Sequence, residues 1–212
     1  MYFPFTKDQF MNMFGSYNTD IFPFQVFLYL LAGVALYLVF SKKEYSDKVI
    51  SGILAFFWLW MGAVFHLLYF APINKSSYLF GFLFIIQGAL FLKYGVLDRK
   101  LSFSFSKDIY GLVGLAMVLY GLLLYPVFGY FIGHVYPYQP TFGVPCPTTI
   151  FTFGLLLWTS PKTPKIILVV PLLWSFMGST AALGFGILED VLLLVSGIVG
   201  VVLIWYRDKQ MQ

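Results

Sequence analysis

Long apolar runs, broken by short polar connections, dominate the chain. Seven stretches, at about 23–40, 49–70, 77–93, 109–133, 147–160, 165–184 and 190–206, have the length or apolar character to cross a bilayer, which takes roughly 20 residues for a hydrocarbon core of ~30 Å. Backbone polar groups cannot stay unpaired in lipid, so these runs predict helices. The expected fold class is therefore all-α, a polytopic transmembrane helix bundle of about seven spans. The third, fifth and seventh runs are short.

The amino-terminal stretch PFTKDQFMNMF follows a different pattern. Thr6 and Gln9 fit a capping box, and Phe5 and Phe10 fit a hydrophobic staple, so a helix is expected from Lys7. Phe10, Met13, Phe14 and Tyr17 then share one face, which predicts a short amphipathic helix lying in the outer interface. The domain reading is an extracytoplasmic interfacial helix over residues 1–22, a seven-span domain over 23–206 and a cytoplasmic tail over 207–212. The alternating LSFSFS between spans three and four reads as an extended segment skimming the inner surface.

Composition excludes a soluble domain. The 212 residues are 60% hydrophobic and only 10% charged, and the mean hydropathy is +0.84, far from soluble averages. The net charge of +4 does not point to nucleic acid, because the basic residues sit in ones, twos and threes between apolar runs. Taking alternate connections, Lys42, Lys43, Lys48, Lys93, Arg99, Lys100, Lys107, Lys162, Lys165, Arg207 and Lys209 fall on one side, against Lys7 and Lys75 on the other. The positive-inside rule then puts the amino terminus outside and the carboxyl terminus in the cytoplasm, in the cell (inner) membrane. No basic region followed by an apolar core opens the chain, so no cleavable signal peptide is expected. One cysteine excludes an internal disulfide.

Candidate chemistry gathers on the outer side. His66 lies near the outer end of span two, ~6 Å deep at 1.5 Å per residue. His134 follows span four, Cys146 precedes span five, and Glu189 and Asp190 precede span seven. With Trp158 to Pro161 taken as the inner interface, span five covers only ~21 Å and begins roughly 9 Å below the outer boundary, which submerges Cys146. Counting from Trp205 as an inner anchor leaves Asp190 roughly 6 Å below it. The loop from Tyr136 to Pro145 must then be enclosed by protein or line a wet cavity. Pro147 fits a first helical turn, which sets Cys146 near the N-cap, where the helix dipole favours thiolate.

Each of these residues alone reads as packing or capping. Their common side and depth point to one shared cavity, with His66, Cys146 and Asp190 no farther apart than ~12 Å if a metal is to bind them directly. Gln87 in span three is an interior polar residue, as are Ser175, Ser179 and Thr180 in span six. No ionisable residue falls at a midplane position, which argues against a proton-coupled transporter. Ser175, Gly178, Ser179, Gly184 and Gly186 fit close helix packing.

The stretches PFTKDQF, WLWMGAVFHLLYFAPINKSSYLFG, LYGLLLYPVFGYFIGHVYP, PTFGVPCPTTIFTFGLLL and PLLWSFMGSTAALGFGILED resemble an uncharacterised family of prokaryotic polytopic integral membrane proteins, a domain of unknown function. The resemblance spans nearly the whole chain, and PTFGVPCPTTIFTFG is its specific motif. It brings no activity, but implies that His66, Asn74, His134, Cys146 and Asp190 lie in family motif stretches.

Three functions stay open. In the first, His66, His134, Cys146 and Asp190 bind a transition metal (Zn, Cu or Fe), with Asn74, Tyr136, Glu189 and Gln87 in supporting places; an open coordination position would make it catalytic. The two histidines offer haem an axial pair instead. Seven-span metal-dependent lipid amidases share only the span count, since a His-x-x-x-His pair is missing. In the second, the chain is a channel or facilitator for a small neutral solute, with the submerged loop as its outer constriction. In the third, it is a structural subunit of a membrane complex. The expected partners are the lipid bilayer and a small-molecule or metal ligand from the outer side, with no nucleic acid; a homo-oligomer or larger complex stays open.

Overall fold

The structure is a computed structural model, described here over residues 3–210. Eight helices make up the described chain: α1 (Lys7–Asp20), α2 (Phe24–Ser41), α3 (Ser46–Phe70), α4 (Ser77–Leu97), α5 (Ile109–Phe131), α6 (Pro145–Leu157), α7 (Lys165–Phe185) and α8 (Leu188–Gln210). α2, α3, α4, α5, α7 and α8 are long and apolar enough to cross a membrane.

α1 starts as its sequence predicts. The Gln9 backbone N–H donates to the Thr6 hydroxyl at 3.2 Å, and the Thr6 N–H donates to the Gln9 carbonyl oxygen at 2.9 Å. The Phe5 and Phe10 rings lie 5.3 Å apart, completing the staple. The apolar face of α1 is buried against the end of α3 and the connection between α5 and α6.

Six of the seven expected spans are helices long enough to cross a membrane, and the fifth, α6, is the short one. α6 has 13 residues and covers about 20 Å, too short for a hydrocarbon core of ~30 Å. Residues 140–159 are all buried, so this segment is an enclosed central helix. Its C-cap Trp158 is 1% exposed and donates its indole N–H to the Gly111 carbonyl at 3.0 Å. Trp158 is therefore a core residue and not the interface anchor its position suggested. Trp205, on α8, is 53% exposed and keeps the anchor's character.

Opposite α1, a two-residue antiparallel ribbon pairs β1 (Ser102–Phe103) with β2 (Thr159–Ser160). The extended reading of LSFSFS holds over β1, whose Phe103 N–H donates to Asp47 at the start of α3. Asp108 caps α5 by accepting from the Ser106 hydroxyl at 2.6 Å and the Gly111 N–H at 2.9 Å. The Ser106 hydroxyl, with help from backbone N–H groups, holds this carboxyl below its ordinary range.

α8 continues through Arg207 to Gln210. Arg207 is 9% exposed and turns inward, donating to the Leu157 carbonyl at 2.9 Å and the Thr163 hydroxyl at 2.8 Å. Its sequence position next to a polar end looks like a solvated cation; only the last turn of α6, with unpaired carbonyls, gives it an inward target.

Candidate functional site

A cavity of ≈ 290 Å³ opens at the α1 end of the bundle. Its walls are aromatic: Phe3, Phe5 and Phe10 from the amino-terminal segment, Phe70 and Phe80 from α3 and α4, and Trp174 and Phe185 from α7. Met177, Gly178, Thr180 and Ala181 complete the α7 side, and Asn74 and Ser76 stand between α3 and α4. Cys146 and Asp190 add the two most reactive groups of the lining.

Local chain geometry brings these two together. Val144 is the N-cap of α6, with Pro145 and Cys146 next, so two prolines flank the thiol in a first turn whose N–H groups have no partner within the helix. Gly186, at φ 72°, ends the α7 helix, and a tight turn over Leu188–Asp190 opens α8. A β-carbon disfavours that left-handed geometry, which suits glycine. The Tyr125 hydroxyl donates to Asp190 Oδ1 at 2.5 Å. The Cys146 thiol faces the same carboxylate. A thiolate beside a carboxylate would repel it, so the arrangement favours a neutral thiol as donor and does not sustain the expected nucleophile at a helix N-terminus. Trp174 lines the cavity, and its buried indole N–H has no hydrogen-bond partner among the described residues, although the Cys146 sulfur lies beside it.

The other sequence candidates sit elsewhere. His66 is fully buried in a wide, π-helical turn of α3 over Met61–Phe70. The Ser77 hydroxyl donates to the His66 carbonyl at 2.9 Å and so accepts from Nδ1 at 3.0 Å. That fixes the proton on Nδ1 and leaves Nε2, which has no partner among the described residues, as a bare acceptor. The ring packs edge-on to Phe84 and Trp174, behind the cavity wall. His134 Nδ1 pairs with Glu189 Oε1 at 2.8 Å. Glu189 and Asp190, neighbours in the chain, thus face different surroundings.

Asn74 lines the cavity and accepts from the Ser76 N–H at 3.1 Å. Tyr136 is an exposed loop residue whose hydroxyl donates to the Asn18 carbonyl at 3.3 Å. Gln87 is buried and donates to the Ile167 carbonyl at 2.9 Å, holding α7 to α4. Among the described residues, no three or more His, Cys, Asp or Glu side chains are grouped to hold a metal ion. The expected four-ligand set is not assembled: Cys146 and Asp190 meet, His134 pairs with Glu189, and His66 turns to Ser77. Each histidine engages a separate partner through Nδ1, Ser77 for His66 and Glu189 for His134. Metal and haem content of the purified protein is accordingly expected to be unchanged by His66→Ala or His134→Ala; a stoichiometric metal or haem lost with either variant would contradict this geometry.

Sequence reasoning missed the residues that shape the loop above Cys146. Asn18 donates to the Pro137 and Gln139 carbonyls at 2.6 and 2.8 Å, and accepts from Gln25 at 2.8 Å and from Thr141 at 3.0 Å. Gln25 also donates to the Thr141 hydroxyl. The Tyr17 hydroxyl donates to the Gly143 carbonyl at 3.1 Å. These bonds supply the protein enclosure that a submerged loop requires. A polar Gln25 inside an otherwise apolar run was the available signal.

In comparisons with known families, residues 7–212 match one described as "Family of unknown function (DUF6064)". No curated protein matches the chain, and no solved structure does.

Proposed function

We propose, on the premise that the chain belongs to the family of unknown function DUF6064, that this membrane protein holds a small, mostly apolar molecule in the cavity at its α1 end. A hydrogen-bonding group on that molecule meets Asp190, Cys146 and Trp174. The observation that carries the reading is the convergence of these three polar groups, from α8, α6 and α7, on one aromatic-walled space. Ligand sites combine apolar walls with a few placed polar groups in this way, and the volume lies near the lower end of their range. The lysine and arginine distribution supports an α1 end that faces outward across the cell membrane.

A channel is the less favoured function, because behind Cys146 the space meets α6, every residue of which is buried. Small size is also expected of the ligand, since ≈ 290 Å³ admits only a compact molecule. Asp190 and the Cys146 sulfur supply a hydrogen-bond acceptor and a weak second one, suited to the donor group of an amine, alcohol or amide.

Two readouts test this. N-ethylmaleimide, small and neutral, is expected to label Cys146, the single cysteine, slowly in the purified protein and faster in alkaline buffer, because only the thiolate reacts and Asp190 favours the neutral thiol. Ala181→Phe, which fills the cavity from α7, is expected to slow that labelling by roughly tenfold or more and to remove any copurifying small molecule. Equal labelling in both proteins, with melting curves showing both folded, would sink the proposal.

A further inference from the structure

At the ribbon end, two adjoining hollows of ≈ 570 and ≈ 290 Å³ share Lys162 and Thr163. Arg99 and Lys100 line the first, and Lys165, Trp205 and Lys209 the second. We propose that this recess binds the phosphate of an anionic phospholipid.

Charge is the first reason. Five cations come from three separated parts of the chain, the α4–α5 connection, the α6–α7 connection and the end of α8. Lys100 pairs with Asp98 at 3.8 Å. Among the described residues, Arg99, Lys162, Lys165 and Lys209 form no ion pair. Asp208, which lines the second hollow with Lys162, Lys165 and Lys209, is taken up by Arg207 at 2.9 Å and by the Thr163 N–H at 3.0 Å, while Arg99 also borders Glu44 and Asp47 on its other side. Charge bias across the membrane requires only that cations lie on one side. Convergence of unpaired cations on one recess goes further, and an anion there relieves their mutual repulsion.

Backbone geometry is the second. Arg99 has φ 51°, a left-handed conformation that a β-carbon disfavours. The following Lys100 N–H donates to the Tyr94 carbonyl at 2.7 Å. This turn swings Arg99 and Lys100 over the Pro161–Pro164 loop.

Depth favours a lipid over a soluble anion. The Ile167 carbonyl accepts from Gln87, ten residues and so roughly 15 Å before the end of α4 at Leu97. The chain from Lys162 to Ile167 therefore descends below the level of Arg99. Trp205, half-exposed with the Lys209 ammonium 5.4 Å from its ring, gives the recess the aromatic edge found at headgroup level.

The test is native mass spectrometry of the full chain, released from detergent with phosphatidylglycerol, phosphatidylcholine or inorganic phosphate. Phosphatidylglycerol is expected to be retained, and R99Q/K162Q/K165Q/K209Q to weaken it roughly tenfold or more. K42Q/K43Q/K107Q, which removes cations from the same end outside the recess, should change it less than about twofold. Should the quadruple variant not fold, K162Q/K209Q is expected to give roughly a threefold loss. Equal loss in recess and control variants, equal retention of phosphatidylcholine, or no loss in K162Q/K209Q would overturn the proposal. Displacement of the lipid by millimolar phosphate would do the same, by making the site one for a soluble anion.

Discussion

Arg207→Ala is expected to lower the unfolding free energy by roughly 3–5 kcal/mol, the range for removing one partner from a buried charged network. The guanidinium donates to the carbonyls of Leu156 and Leu157 and to the hydroxyls of Thr159 and Thr163, while its Nε and Nη2 hold Asp208. Truncation strips the last turn of α6 of its donors inside the bundle and leaves Asp208 without its counter-charge. Arg207→Lys should recover less than half of the loss, because a single ammonium cannot reach carbonyls and carboxylate together. Denaturant titration in detergent micelles measures both. A loss below about 1 kcal/mol for the alanine variant would place the arginine among ordinary exposed cations.

Gly154→Val is expected to cost about 3 kcal/mol or more, at the upper end of overpacking penalties, because the obstacles are backbone. A β-carbon at Gly154 comes 2.7 Å from the Gly114 carbonyl oxygen and 2.9 Å from the Val118 nitrogen. Reciprocally, one at Gly114 lies 2.8 Å from the Gly154 oxygen. Here α5 and α6 cross with glycine facing glycine, the close approach that small residues allow inside membranes. Valine also meets the stiffness of a β-branched side chain on a helix. Gly33→Ala in α2, where a β-carbon meets nothing within 4 Å, is the control and should be neutral or slightly stabilising. Thermal melts of the three proteins decide: equal midpoints for wild type and Gly154→Val would mean that the two helices do not depend on this crossing.

These two expectations rest on contacts that no local pattern announces. Gly114 and Gly154 stand 40 positions apart on helices whose sequences alone permit many rotations about their axes. Arg207 lies beside the polar chain end, where a solvated cation is the ordinary outcome. Its inward turn follows from the unpaired carbonyls at the end of α6, a consequence of that helix being enclosed.

The candidate site shows the same division. Counting 1.5 Å per residue from the ends of the runs gives His66, Cys146 and Asp190 similar depths. Depth, however, says nothing of direction. His66 shares the level of the cavity yet turns its Nδ1 to Ser77, and the rings of Phe70, Phe80 and Trp174 stand between it and the open space. Glu189 and Asp190 occupy one 3-10 turn and part company, because adjacent residues on such a turn point about 120° apart. The metal-ligand set read from sequence therefore resolves into a thiol–carboxylate pair, a histidine–glutamate pair and a lone imidazole.

By itself the sequence determined the apolar helices, the cap and staple that start α1 and the need for an enclosed loop before Cys146. Each of these follows from local composition, or from the rule that lipid leaves no backbone polar group unpaired. Tertiary structure alone decided that α6 is wrapped on every face, that Asn18 and Gln25 enclose the loop, and that Asp190 meets Cys146 while His66 does not. Those outcomes depend on the rotation of each helix about its axis. Packing against neighbours distant in the chain sets that rotation, through close approaches such as Gly114 to Gly154.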